Sequence, residues 1–361
     1  MKKKTLALIL AMFFVLSLFS ACGSSSAPAS SAAPASEAAP AESASASTVD
    51  PASVKGELTL YTSEPEDQVT EFIAAFNKIY PNVKINMFRS GTGKVTAKMD
   101  TEFQTGDTEA NIIWFADIGY IKGLDDKGLI LHNTPAAASG LDASTVYNDG
   151  MGIEVRKIYN VLAYNTTKID ASKAPKDWMD VTTADYKGVF GMANPNYSGG
   201  AFTALVVHVQ NEDKVGWKFY EQANANGCKY EESNGNLKTK VASGEYSAVA
   251  IVDSHARSAM MEGSPVQIVW PTSGAVLIPT PMALMKNIPA ESLDAAKAFE
   301  EFMLSKDAQK MFVDMGYVPS DTSVGLPDAT PDKIVTLPFD LDYFVKNSKS
   351  IREQYVAKFG E

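Results

Sequence analysis

Three short stretches of this chain carry the residue types and spacing for recognising an anion. They are Thr62-Ser63, Ser90-Gly91-Thr92-Gly93 and Tyr197-Ser198-Gly199-Gly200. Each places small hydroxyl residues or glycines where an apolar run gives way to a helical pattern. A turn from strand into helix leaves backbone N–H groups unpaired at the positive end of the helix dipole. Glycine lets the backbone come close, and hydroxyls add donors. Such a turn suits a phosphate, a phosphonate or a carboxylate. Taken singly, each stretch reads equally well as an N-cap or a tight turn. Three in succession point to ligand contact.

Other side chains can join them. Asp117 follows a third strand pattern, and Asp253-Ser254-His255 follows another in the second half. These residues could hold sugar hydroxyls, an amino group or a metal, and Asp253 could equally be a cap. Arg89, Lys94 and Arg257 could neutralise an anion, and Tyr61, Tyr197 and Trp270 could wall a cleft. His132, His208 and His255 lie too far apart for zinc-type spacing, so no metal site and no cofactor are expected. His208 falls on an apolar helix face and reads as structural. No Gly-x-Ser-x-Gly elbow and no Cys/His or Ser/His/Asp set is apparent. The chain is therefore read as a binding protein, not an enzyme.

The elements that must position these residues alternate. Strand patterns at 57–61, 83–88 and 111–115 are separated by helices carrying Val69, Phe72, Ile73 and Phe76, then Val95, Met99 and Phe103. Ser63-Glu64-Pro65-Glu66 has capping-box spacing. A run of β-α-β-α-β implies a parallel sheet covered by helices. One long strand pattern, 153–164, reads as a crossing between lobes. The same grammar then repeats, with strands at 189–192, 247–252 and 266–270. A return crossing follows at 276–285, then helices at 292–304 and 306–315 and a helical tail. The fold class is α/β, with two lobes, two extended crossings and the ligand cleft between them.

The first fifty residues give an address. Lys2, Lys3 and Lys4 precede an apolar run, 6–19, and then Ser20-Ala21-Cys22-Gly23. That is secretory-signal grammar, and the run is short of the roughly 20 residues of a membrane span. The cut site resembles the lipobox of bacterial lipoproteins, with Phe19 where that pattern prefers Leu. The resemblance implies a signal peptide at 1–21 and lipidation of Cys22. A Ser/Ala/Pro tether over 22–53 would hold the body at the extracytoplasmic face of the cell membrane. Cleavage removes three lysines and takes the net charge from −11 to −14, which disfavours nucleic acid and anionic lipid as partners. Cys228 would then be the last thiol, a buried structural residue with no disulfide partner.

The body resembles the extracellular substrate-binding proteins of ABC importers, with the type II periplasmic-binding fold. The residues that carry the likeness are 58–63, Arg89-Ser90-Gly91-Thr92-Gly93, Asn111-Ile112-Ile113-Trp114-Phe115-Ala116-Asp117, Asn194-Pro195-Asn196-Tyr197-Ser198-Gly199, Asp294-Ala295-Ala296-Lys297-Ala298-Phe299, 304–309 and Gly316-Tyr317-Val318-Pro319. It is most similar to the branch that includes ferric-ion, 2-aminoethylphosphonate, sugar-phosphate and thiamine receptors. The resemblance implies one lobe from 54–160 plus about 271–318 and a second from 161–270 plus about 319–361. It also implies a monomer that binds a small solute without chemistry, closes by hinge motion and docks on permease and ATPase subunits. Phosphonates and phosphorylated compounds are favoured as ligand, with ferric iron, thiamine and polyamines as alternatives. Direct ferric binders of this family use adjacent tyrosines, and this chain has no Tyr-Tyr pair. A ligand sensor and a hydrolase on the same fold stay open as other classes.

Overall fold

The computed structural model describes residues 50–360. The expected signal peptide, Cys22 and most of the tether lie outside the described residues. The first half of the body runs β1 (Lys55–Thr62), α1 (Glu66–Ile79), β2 (Asn82–Arg89), α2 (Thr92–Thr105), β3 (Ile112–Trp114), α3 (Ile118–Asp126), β4 (Ile130–Leu131), β5 (Val146–Tyr147) and β6 (Gly152–Ile153). The chain continues through β7 (Arg156–Asn165), β8 (Phe190–Ala193), α4 (Gly199–Gln210), α5 (Gly216–Ala225), β9 (Lys229–Glu231), α6 (Asn234–Ser243), β10 (Ala248–Val252), α7 (Asp253–Met261) and β11 (Val266–Val269). It ends with β12 (Val276–Ile278), β13 (Met282–Met285), α8 (Leu293–Met303), α9 (Lys306–Asp314), β14 (Val318–Pro319) and α10 (Leu341–Phe359).

These strands form two seven-stranded sheets. The first has the order β2-β1-β3-β13-β6-β5, with β4 on β13; the second has β11-β7-β10-β8-β9, with β12 and β14 on β7. β1 pairs parallel with β2 and β3, as the alternating sequence pattern demands. Helix α1 buries Val69, Phe72 and Phe76, one face of a 3.6-residue period. Beneath it they meet Phe299, Phe302 and Phe312 from α8 and α9. Strand β7 is buried almost throughout, as a central strand must be, although Arg156, Asn160 and Asn165 interrupt its apolar residues.

Two expected crossings are shorter than the sequence suggested. The run 153–164 is two strands, because Ile153 pairs in the first sheet while Arg156 onward pairs in the second. The run 276–285 also divides, with β12 in the second sheet and β13 in the first. Pro279-Thr280-Pro281 stands at that break, and proline has no N–H to give a ladder. The outgoing chain therefore changes sheet near 154–155 and the return near 279–281, not at 160 and 271.

The capping box at Ser63 does not form. Pro65 occupies the N-cap of α1, and no side chain caps it. Helices α5 and α6 were not among the elements expected from the sequence. The helical tail is present as α10, which packs against α3 and α4. No helix among the described residues is long and apolar enough to cross a membrane.

Candidate functional site

The first turns of α2, α4, α6 and α7, and the residues leading into α1, border one cavity of about 370 Å³ between the two sheets. Ser63, Gly91, Thr92, Tyr197, Ser198, Gly199, Gly200, Ser254 and His255 line it. So do residues not singled out by their sequence context: Glu232, Ser233, Asn234 and Gly235 at the start of α6, with Arg156 and Tyr317. The signal for α6 was available. A short strand pattern, 229–231, runs into Ser233, which caps the helix by accepting from the Asn236 N–H at 3.2 Å.

No side chain caps α1, α2 or α7. Their first-turn N–H groups are left for solvent or a ligand. Ser198 caps α4 by accepting from the Ala201 N–H at 3.3 Å, which satisfies one donor and leaves the rest of that turn open. Gly91 has nothing within 4 Å of where a Cβ would stand, so it opens on free space. At Gly199 a Cβ would come within 2.4 Å of the Ala116 carbonyl oxygen and 3.3 Å of Thr92 Oγ1. Glycine there lets the start of α4 touch the turn after β3.

Two arginines, Arg89 and Arg156, and two carboxylates, Glu64 and Glu232, border the cavity. Arg156 is 1% exposed; it pairs with the Glu64 carboxylate and donates to Thr280 Oγ1 at 2.6 Å. Its guanidinium lies 4.8 Å from the Tyr317 ring centroid, and its Nε is buried without a partner. Arg89, also on the cavity wall, donates from Nε to the Glu64 carbonyl at 3.0 Å.

Five expected contacts lie elsewhere. Thr62 is fully buried, donating to the Trp114 carbonyl at 2.7 Å and accepting from the Glu64 N–H at 3.0 Å. Ser90 does not line the cavity; its N–H closes β1 against β2 by donating to the Thr62 carbonyl at 3.1 Å. Gly93 and Asp117 border a neighbouring cavity of about 240 Å³ instead. Asp117 caps α3 by accepting from the Tyr120 N–H at 3.0 Å, and burial pushes its carboxyl pKa up.

Asp253 is fully buried beneath the site. It accepts from the Tyr159 N–H at 2.8 Å and pairs with Arg257 at 2.5 Å. Arg257 is thereby used up, along with its bonds to the Asp328 and Gly316 carbonyls, and does not reach the cavity. Lys94, Tyr61 and Trp270 do not line it either; Tyr61 donates to Glu102, and Trp270 to the Ala329 carbonyl.

His208 is buried against Tyr220, and burial brings its pKa down to about 3, in keeping with a structural role. Cys228 is half-buried, and burial raises its thiol pKa to about 12. That is the opposite of an activated nucleophile. Among the described residues no group of three or more His, Cys, Asp or Glu side chains is placed to hold a metal.

The arrangement is a container lined by donors and dipoles, with two sheets on either side. Residues 71–336 match the bacterial extracellular solute-binding proteins, and the chain belongs to that family. It has the type II periplasmic-binding fold. The protein AfuA from Actinobacillus pleuropneumoniae, described with exogenous fructose-6-phosphate bound, superposes with a TM-score of 0.74 at 22% identity, covering 84% of this chain and 98% of that one. The ferric binding protein from Campylobacter jejuni gives 0.72 at 20% identity, covering 84% and 99%. In sequence, an uncharacterized protein of Haemophilus influenzae is 25% identical over 330 residues, 85% of this chain and 92% of that protein. A probable ABC transporter periplasmic-binding protein, y4fP, of Sinorhizobium fredii is 24% identical over 246 residues, 65% of this chain and 67% of that protein.

Proposed function

We propose that this chain is the solute receptor of an ABC importer and that its cargo is a small phosphorylated or phosphonate anion. The observation that carries the reading is the five helix starts around one cavity, three of them without a side-chain cap. Unpaired N–H groups and converging dipoles select negative charge and shape together. Arg89 adds positive charge, whereas that of Arg156 is balanced by its Glu64 partner, and the cavity volume suits a metabolite of modest size. The ligand arrives between the lobes, closure brings α2 and α4 onto it, and the closed receptor docks on a membrane permease. No bond is made or broken. In this reading Cys22 is lipidated and the tether keeps a monomeric receptor near its permease. The similarity to y4fP, named as an ABC transporter component, supports the importer.

A ferric cargo is the second reading, because the fold is shared with ferric binding proteins. Tyr197 and Tyr317 both border the cavity, but burial holds the Tyr317 phenol well above its ordinary pKa, against phenolate ligation.

The test is a melting-temperature screen on the body from Val54 onward. Its panel is 2-aminoethylphosphonate, fructose 6-phosphate, glucose 6-phosphate, ferric citrate, thiamine and spermidine. A ligand at a hundred times its Kd adds about 2.7 kcal/mol to stability, which such a screen resolves. Stabilisation by a phosphorus compound is expected. Stabilisation by ferric iron or a cation alone would overturn the anion reading.

A further inference from the structure

His255 stands in the first turn of α7 on the cavity wall. Its Nδ1 is buried and has no hydrogen-bond partner. A buried, unpartnered ring nitrogen is costly unless something completes it. We propose that His255 is a proton-linked ligand contact: the captured anion is met by a protonated imidazole, and binding draws one proton from solvent. This inference rests on the anion reading above and adds a specificity-determining residue to it.

The surroundings explain the direction. Helix α7 packs against α6, β7, β10 and β11. From α6 comes Lys238, held by Ser258 Oγ at 2.9 Å and Glu262 at 2.5 Å. From β7 come Arg156 and the phenol of Tyr159; β10 and β11 bring no titratable group. Across the cavity stand Tyr317 and Glu64, the latter paired with Arg156, and Glu232 lies before α6. On the helix itself Asp253 and Arg257 pair with each other, and Glu262 follows its last turn.

In the free protein, burial first, then Lys238 and Arg156, bring the imidazole pKa down to about 4. The ring is therefore neutral at neutral pH. A dianion in the cavity reverses the local field and favours the imidazolium, which donates from both nitrogens. Affinity then rises on acidification by up to about tenfold per pH unit between the free and bound pKa values. A phosphate monoester's own protonation near pH 6 works against this rise. A variant that cannot titrate separates the two.

The experiment is calorimetric titration with fructose 6-phosphate and 2-aminoethylphosphonate. It is run at pH 6 and pH 8 in buffers of differing ionisation enthalpy, on the native chain, His255→Asn and His255→Gln. Melting curves confirm that the variants fold, and the two amides guard against failure of either one. Native protein is expected to take up more protons at pH 6 than the variants, by a number approaching one, and the variants to lose the corresponding pH dependence of Kd. Equal proton uptake in native and variant chains would overturn the inference while leaving the anion reading intact. Failure of both phosphorus compounds to bind the native chain would overturn the two together.

Discussion

Gly199→Ala isolates one close contact between the two halves, that of α4 with the turn after β3. The added Cβ would stand 2.4 Å from the Ala116 carbonyl oxygen, whereas ordinary contact begins at 3.4 Å. The shortfall is therefore about 1 Å. Backbone lies on both sides, so no rotamer can relieve it, and the start of α4 must draw back from the turn after β3. Overpacking of this size costs about 1–3 kcal/mol. If α4 meets Ala116 only in the closed form, the whole cost falls on ligand binding. Affinity then drops by about 5- to 150-fold. The ligand-free chain is not expected to lose stability, because alanine is the better helix former by up to about 1 kcal/mol. Calorimetric titration with whichever phosphorus compound stabilises the native chain measures the first quantity, and urea unfolding of the free chain the second. Unchanged affinity would refute the role of this contact in closure. A loss of free-chain stability as large as the loss in binding would refute its restriction to the closed form.

Three further outcomes follow from the same geometry. Gly91→Asp places a carboxylate in open space at the uncapped start of α2, so binding of a phosphorus anion is expected to fall at least about tenfold while the melting temperature holds, and Gly91→Ala to leave both unchanged; calorimetry and melting curves check both. Arg156→Met strands the buried Glu64 carboxylate and is expected to cost about 3–5 kcal/mol in urea unfolding, with Glu64→Gln in the same chain restoring most of it; a double variant as unstable as the single would refute the pairing. Burial raises the Glu300 carboxyl from its ordinary 4.5 to about 8, with Asn133 donating to it at 2.7 Å. The unfolded chain therefore releases this proton first. Stability falls as pH rises from about 4.5 to 8, by at most about 1.4 kcal/mol per pH unit. Glu300→Gln is expected to flatten that part of the profile in urea unfolding at pH 5 and pH 8.

What the sequence revealed was local. The face of α1 was legible from Val69, Phe72 and Phe76, because burial on one side imposes the helical period. All three anion-type turns, through Ser63, Gly91-Thr92 and Ser198–Gly200, reach the cavity because a strand running into a helix must expose its first N–H groups there. What the sequence hid was decided by distant partners. Asp253 after a strand looks the same whether it points into a cleft or under it. Its use was fixed by the Tyr159 N–H, 94 residues away, and by Arg257. Arg156 gave no signal, since Glu64 and Thr280 lie 92 and 124 residues from it. Pro279 and Pro281 were visible as letters, but which sheet each side of them would join depended on pairing with β7 and β3.

The most direct test of the central claim is a crystal structure of the chain grown with the phosphorus compound that binds it best. The account predicts the phosphorus group in the cavity between the sheets, its oxygens within hydrogen-bond reach of backbone N–H groups at the starts of α2, α4 and α7. An anion bound elsewhere, or a metal ion in that cavity held by tyrosine and carboxylate oxygens, would contradict it.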